Sequence, residues 1–269
     1  MPVINTNVSA LNAQNVMKTN SRDMSTAMEQ LSTGARVNSA KDDAAGLAIG
    51  QTMTAQIRGL NQAVRNANDG INLLQTTEGA MVEQTNMLQR MRELAVQSVN
   101  ATNSDQQRGY LDKEFGELTS QIGAIGSQTM WNSTVVLSAA TLTFQVGNST
   151  DTTFTVEIQD TTLSGLGIGS ASIASAGVAS TALGLIDSAL DTVNAQRAQL
   201  GATMNRLTYT ADNLSNVSAN LSASRSNIMD TDYATASSQL SKTQIIQQAA
   251  TAMLAQANQQ PQSVLSLLK

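Results

Sequence analysis

Apolar residues recur along most of this chain in steps of three and four. From Leu60 they fall at Val64, Ala67, Ile71 and Leu74, then at Met81, Leu88, Ala95 and Val99. Each spacing is three, four or a sum of the two, which is the seam of a coiled-coil helix. Ser39-Ala40-Lys41-Asp42 has the serine and the N3 acid of a capping box. The helix is therefore expected to start near Ser39 and to end near Asn100, ahead of the polar run Asn103-Ser104-Asp105. Roughly 60 residues at 1.5 Å rise would make a rod on the order of 90 Å. A second helix is expected from Ser104, with Gln107 in the N3 place, along Leu111, Phe115, Leu118, Ile122 and Ile125 to about Gly126. Gly109, Gly116 and Gly123 recur beside that seam, either as tolerated flexibility or because another backbone lies close.

Residues 141–158 change period. Leu142, Phe144 and Val146 alternate with polar neighbours, as do Phe154, Val156 and Ile158, and Gly147-Asn148-Ser149 opens the turn between them. This predicts a β-hairpin. The Gly/Ala/Ser-rich stretch 165–180 reads as a flexible return, and its glycines lack the Gly-Lys-Ser/Thr ending of a phosphate loop. A third long helix follows Leu183, Ile186, Leu190, Val193, Arg197, Leu200, Met204, Leu207, Ala211, Leu214, Ser218, Leu221, Arg225 and Ile228. Its three polar interruptions either weaken the seam locally or serve register. A break at Asp230-Thr231-Asp232 leads to a final helix through Leu240, Ile245, Ile246, Ala249, Met253 and Ala257, followed by Pro261. The N-terminal arm mirrors it with Val3, Ile4, Val8, Leu11, Met24, Met28 and Leu31. The fold class is mainly α: a long antiparallel helical rod or coiled coil with a small β-hairpin subdomain. Such a chain goes out and returns, so its two amphipathic arms meet. Apolar stripes on arms with too little bulk for a core call for partners.

Composition narrows the chemistry. With no His and no Cys among 269 residues, a Ser-His-Asp triad, a His or Cys metal site, a thiolate nucleophile and a disulfide are all excluded. Asp42-Asp43 point about 100° apart on a helix, with no third ligand nearby, and read as helix-end capping rather than a metal site. No cofactor and no catalytic constellation are expected. Aromatics are 3% of the chain, so small and aliphatic side chains must supply the apolar surface, which suits helices lying close together. Charged residues are 13%, about half the usual ~25%, and the balance is −5, which makes nucleic acid and anionic membranes poor partners. The N-terminus does not read as a Sec signal, and no stretch approaches the ~18 apolar residues of a spanning helix.

The residues themselves resemble bacterial flagellin. Ile4-Asn5-Thr6-Asn7, Leu31-Ser32-Thr33-Gly34 and the run Val37 to Ile49 look like that family's opening. Arg65-Asn66-Ala67-Asn68-Asp69-Gly70, Gln75 to Ala80 and Leu88 to Ser98 continue it. Asn213 to Asn216, Asp230 to Ala234 and Leu254 to Leu268 are similar to its closing blocks. The resemblance covers roughly residues 1–138 and 180–269, and it implies the following. Residues 1–42 and 229–269 form a terminal coiled-coil domain in the inner filament core. Residues 43–138 and 180–228 form a helical rod domain, to which the hairpin and return, 139–179, belong. The large outer domains of other members are absent. The chain is a secreted, non-enzymatic subunit that self-assembles into the extracellular filament for swimming. Its partners are copies of itself, the export apparatus and a chaperone, the filament cap and hook-associated proteins. The flagellin-sensing Toll-like receptor of animal hosts would contact Glu83, Gln89, Arg90, Leu94, Gln97 and Glu114. Assembly would use Val3, Ile4, Val8, Leu11, Ile245, Ile246, Met253, Val264, Leu265, Leu267 and Leu268. The rival readings are a hook–filament junction protein, which shares similar ends, and a soluble coiled-coil adaptor.

Overall fold

The computed structural model describes residues 6–149 and 151–266, with side chains as far as residue 259. Its elements are α1 (Val8–Thr33), α2 (Ala44–Val99), α3 (Asp105–Gln128), β1 (Met130–Trp131), β2 (Thr134–Val135), β3 (Ala140–Gln145), β4 (Thr153–Ile158), α4 (Leu163–Leu166), α5 (Ala176–Met229) and α6 (Tyr233–Ser266). The chain divides into two compact units. One is drawn from residues up to Ile57 and from Ala219 onward, the other is Arg58–Ser218. The mainly helical architecture with antiparallel helix pairs and small sheets is as the periodicity predicts.

In the first unit α1 and α6 run antiparallel, and side-chain hydrogen bonds fix their register. Asn7 Nδ2 donates to the Ala257 carbonyl at 2.7 Å, and Asn20 Nδ2 donates to the Thr243 carbonyl at 2.8 Å. Asn7 also caps α1, its Oδ1 accepting from Ala10 N. Gly34 ends α1 with φ +72, a left-handed conformation that suits glycine, and its N–H donates to the Gln30 carbonyl. A Cβ there would also sit 3.1 Å from the Tyr233 hydroxyl. The segment after α1 is stitched to the break between α5 and α6. Arg36 N donates to Met229 O, Thr231 N to Gly34 O, and Ala35 bridges Asp230.

In the second unit α2 and α5 run antiparallel, with Arg92 joined to Asp187, Glu78 to Arg197 and Asn61 to Ser218. Two of the polar interruptions, Arg197 and Ser218, thus meet polar partners across the seam, which is a register role. Leu74, Met81, Leu88, Met91 and Leu94 of α2 pack with Ile186, Val193, Leu200 and Leu207 of α5 and with Phe115 and Ile122 of α3. The Ser104 capping box opens α3 as expected. Strands β3 and β4 pair antiparallel with Leu142 opposite Val156 and Phe144 opposite Phe154. Buried Gln84 of α2 donates to the Thr161 carbonyl, and buried Gln196 of α5 donates to the Glu157 carbonyl. The strand and its exit are therefore held from both long helices.

Several expectations need correction. Helix α2 starts at Ala44, not Ser39: the Asp42 carboxylate is engaged by the Ser39 amide and hydroxyl in a turn, and Asp43 accepts from Gly46 N at the helix end instead. The 165–180 stretch is no loose return. Ile168 and Ile173 are fully buried, Asp112 accepts from Ile173 N and the Ser172 hydroxyl, and α5 begins at Ala176. Among the described residues nothing lies within 4 Å of a Cβ built on Gly109 or Gly116, while Gly123 faces the Leu163 side chain. Among the described residues no backbone outside α3 lies against that glycine stripe. On α5 Ile186, Val193, Leu200 and Leu207 are fully buried as expected, but the alternate seam places fall to Ala182, Ala189, Gln196 and Thr203, one residue before the expected Leu183, Leu190, Arg197 and Met204, which are half-buried. Val99, at the end of the α2 seam, is exposed. The β1–β2 hairpin was not expected; Asn132 and Ser133, both at positive φ, turn it. Finally, α6 continues through Pro261 to Ser266.

Leu207 is fully buried and Asn205 exposed. Leu207→Lys is expected to destabilise the chain by about 3 kcal/mol or more, and Asn205→Lys by less than about 0.5 kcal/mol. Thermal melting followed by circular dichroism checks both, and equal melting points would overturn this placement of the seam.

Candidate assembly and recognition surfaces

The α1–α6 pair closes on small and polar side chains. Ala10, Asn20 and Ala27 of α1 and Ala236, Thr243 and Ala250 of α6 are its buried residues. Large apolar side chains lie outside this seam: Val8, Leu11, Val16 and Met28 on α1, and Ile245 and Met253 on α6, the last two 66% and 65% exposed. Ile49 on α2 is exposed in the same unit, and Ile246 is half-buried. An open groove beside the pair is lined by Gln14, Met17, Lys18, Arg22, Gln247 and Leu254. Val3, Ile4, Leu267 and Leu268 lie outside the described residues, as do the side chains of Val264 and Leu265. Sequence reasoning missed Val16 and Ile49. Val16 is four residues before Asn20, so it sits one turn from a buried position yet off the apolar stripe that the spacing singles out.

A second surface is polar and belongs to the other unit. The Arg90 guanidinium donates through Nε and Nη2 to Glu114 Oε1 at 2.9 and 2.8 Å, and through Nη1 to Glu93 Oε2 at 2.9 Å. These carboxylates, Glu114 first, raise the Arg90 pKa further above its ordinary value. Arg92 is likewise raised by its bond to Asp187. Gln89, Arg92, Glu93, Val96 and Gln97 line a shallow groove on α2, and Glu83 is exposed on the same helix. Leu94 departs from the expected set. It is 1% exposed and packs in the helical core, where a docking partner cannot touch it. The reason is its heptad place: Leu94 lies three residues after Met91 and six after Leu88, both fully buried.

Carboxylates here serve helix ends. Asp232 opens α6, accepting from the Thr235 hydroxyl at 2.7 Å and Ala234 N at 2.9 Å, and these bonds hold its carboxyl below the usual value of 3.8. Ser39 does the same for Asp42. Among the described residues no group of three or more His, Cys, Asp or Glu could hold a metal ion, and no helix is long and apolar enough to cross a membrane.

What this geometry presents is a class of helical protein that acts through its surfaces, with an unpartnered apolar face on one unit and an ion-paired polar face on the other. The sequence matches the bacterial flagellin N-terminal helical region over residues 4–141 and the bacterial flagellin C-terminal helical region over residues 183–268, so the chain belongs to the flagellin family. It is 45% identical to a flagellin of Halalkalibacterium halodurans across 99% of this chain and 100% of that protein. A flagellin of Bacillus subtilis is 40% identical, with 99% of each chain covered. The crystal structure of Bacillus cereus flagellin superimposes with a TM-score of 0.52 at 30% identity, covering 56% of this chain and 88% of that one. As a short-form flagellin the protein is the non-enzymatic structural subunit of the extracellular flagellar filament, a self-assembling structure that serves motility.

The depressed Asp232 pKa links α6 to pH. A carboxylate whose pKa is lowered on folding contributes stability that is present above its unfolded value and lost as pH falls through its folded value. Asp232 should therefore titrate below 3.8 by NMR, with the Ala234 amide shifting in step. Any stability advantage of wild type over Asp232→Asn should vanish across that acid window. A midpoint at or above 3.8 would contradict the capping bonds.

Proposed function

We propose that the exposed apolar face of the α1–α6 pair is the principal assembly surface of the subunit. The observation that carries this reading is the outward placement of Val8, Leu11, Ile245 and Met253 on a helix pair whose buried residues are alanine, asparagine and threonine. Fully burying each such side chain against a neighbouring subunit contributes roughly 1.5–3 kcal/mol before ordering costs are subtracted. On this reading residues 1–42 and 229–269 are the inner-core domain of the filament. Residues 43–138 and 180–228 are its rod domain, with 139–179 attached. Val3, Ile4, Ile246, Val264, Leu265, Leu267 and Leu268 extend the assembly face. Monomers reach the growing end through the export apparatus with a chaperone, add beneath a cap, and connect to the motor through hook-associated proteins. Heterologous contacts repeated along a screw axis yield an open helix rather than a ring. Ile245→Lys is expected to leave monomer melting within about 0.5 kcal/mol of wild type, as an exposed substitution should, while abolishing seeded polymerisation. Long filaments from the Ile245→Lys chain would remove this face from assembly.

The host Toll-like receptor reading belongs to the second surface. We propose that Glu83, Gln89, Arg90, Gln97 and Glu114 form the face it contacts, with Leu94 supporting that face from beneath. Arg90 supports the assignment, because two carboxylates hold its guanidinium as an oriented patch of donors on an exposed helix. Arg90→Asp should weaken receptor activation in reporter cells by about tenfold or more, equivalent to about 1.4 kcal/mol of lost recognition, with monomer melting little changed. A full response to the Arg90→Asp monomer would exclude this face.

A further inference from the structure

Twelve methionines and no cysteine make the thioether the softest nucleophile this chain carries. Among the described residues those methionines range from fully buried to mostly exposed, with Met17, Met24, Met53, Met87, Met204 and Met229 half-buried. Met81 and Met91 are fully buried between α2 and its neighbours, whereas Met28, Met130 and Met253 are 55%, 55% and 65% exposed. Met28 adjoins Ala27, one of the buried seam residues of the α1–α6 pair. The register set by Asn7 with Ala257 and by Asn20 with Thr243 brings Met253 level with Leu11. Two of the three exposed methionines among the described residues therefore sit on the face assigned above to assembly, and the third, Met130, sits on β1 in the other unit.

We propose that Met28 and Met253 are oxidation sites at which a peroxide switches off assembly of the free subunit. The thioether sulfur attacks one oxygen of hydrogen peroxide, the O–O bond breaks, and the departing hydroxide takes the remaining peroxide proton to leave as water. Sulfur gains one oxygen and is oxidised by two electrons while the peroxide is reduced by two. The product sulfoxide is a polar acceptor on a formerly apolar, adaptable side chain. On the free subunit it is solvated and costs nothing. In a dry contact between subunits it would lack a donor, so its burden falls on association alone. No cysteine competes for the oxidant. Reduction back to the thioether restores the surface, which makes the device reversible. The inference rests on the assembly reading of the α1–α6 face.

The test treats purified monomer with hydrogen peroxide at neutral pH and follows each methionine by peptide mass spectrometry. Seeded elongation and circular dichroism are measured on the same samples. Met28 and Met253 should oxidise about ten times faster than Met81 and Met91, and elongation should fall about tenfold or more in step with them, with helix content unchanged. Methionine sulfoxide reductases for both epimers should restore elongation. A Met28→Leu/Met253→Leu chain should keep its elongation rate through the same treatment, whereas Met130→Leu should lose it as wild type does. Unchanged elongation of the oxidised chain, failure of reduction to restore it, or equal inhibition of the double-leucine chain would each overturn the proposal. If that chain elongates poorly without peroxide, the reductase arm decides. The Ile245→Lys chain separates the two layers. If it polymerises, the assembly reading itself is wrong; if it does not while oxidised wild type does, only the oxidation site is lost.

Discussion

The width of the seam between α1 and α6 governs what the first unit can do. Alanine at positions 10, 27, 236 and 250, with Asn20 and Thr243, fills that seam. Met17, Met24, Leu31, Leu240 and Leu254 are only half-buried beside these small residues, and Val8, Leu11, Val16, Met28, Ile245 and Met253 lie exposed on the outside of the pair. A lone two-helix pair has one inner face, and here it is spent on small residues and two asparagine hydrogen bonds. The apolar surface that would stabilise an ordinary domain is left for a partner. Folding and association thereby draw on different residues of the same two helices.

The second unit is built on the opposite allocation. Its core is made of large side chains such as Leu74, Met81, Phe115 and Leu200, and its buried polar residues act chiefly as ties to backbone. Gln84 and Gln196 reach from α2 and α5 to carbonyls on either side of the exit from β4, and Ser98 and Asp112 fix the backbone at Ile173. Buried amide hydrogen bonds contribute only about 1 kcal/mol each, but losing one strands its partner in the core at about 1–3 kcal/mol. A unit held in this way offers a fixed platform for the Arg90, Glu93 and Glu114 cluster, whose salt bridges are exposed and would not hold a geometry by themselves.

The helices, the β3–β4 hairpin and the break at Asp230 were legible because each rests on periodicity over many residues or on local turn chemistry. What was not legible depended on third partners. Ile168 and Ile173 stand alone among glycine, alanine and serine, and nothing in their own stretch says that Ser98 and Asp112 will hold that backbone against α2 and α3. Half of the α5 seam, Ile186, Val193, Leu200 and Leu207, was readable, but Ala182, Ala189 and Thr203 take its alternate places, one residue before the larger Leu183, Leu190 and Met204 that hydropathy favours. Asp42 and Asp43 compete for one capping task, and spacing alone favours the wrong one. The candidate assembly residues were readable as a stripe, since Val8, Leu11 and Ile245 are apolar wherever they point. Leu94 was not, because it lies between exposed Glu93 and buried Ala95, and only its spacing from Met91 and Leu88 places it inward.

Pro261 shows how far a single local rule can be overridden. Proline lacks the N–H that would bond the carbonyl four residues earlier, so a helix is expected to end before it. Here that carbonyl belongs to Ala257, and Asn7 Nδ2 donates to it from the opposite end of the chain. The acceptor that proline orphans is thus satisfied across the α1–α6 seam, and α6 runs on to Ser266. The same asparagine caps α1 through Oδ1. One side chain therefore starts the first helix, supplies the bond missing from the last, and fixes their register. The consequence reaches the assembly face: the pairing that sets Leu11 level with Met253 is anchored where the helix ladder is weakest. The stretch of α6 around the proline is thus tied to the start of α1, so the two helices support each other directly where the ladder lacks a donor.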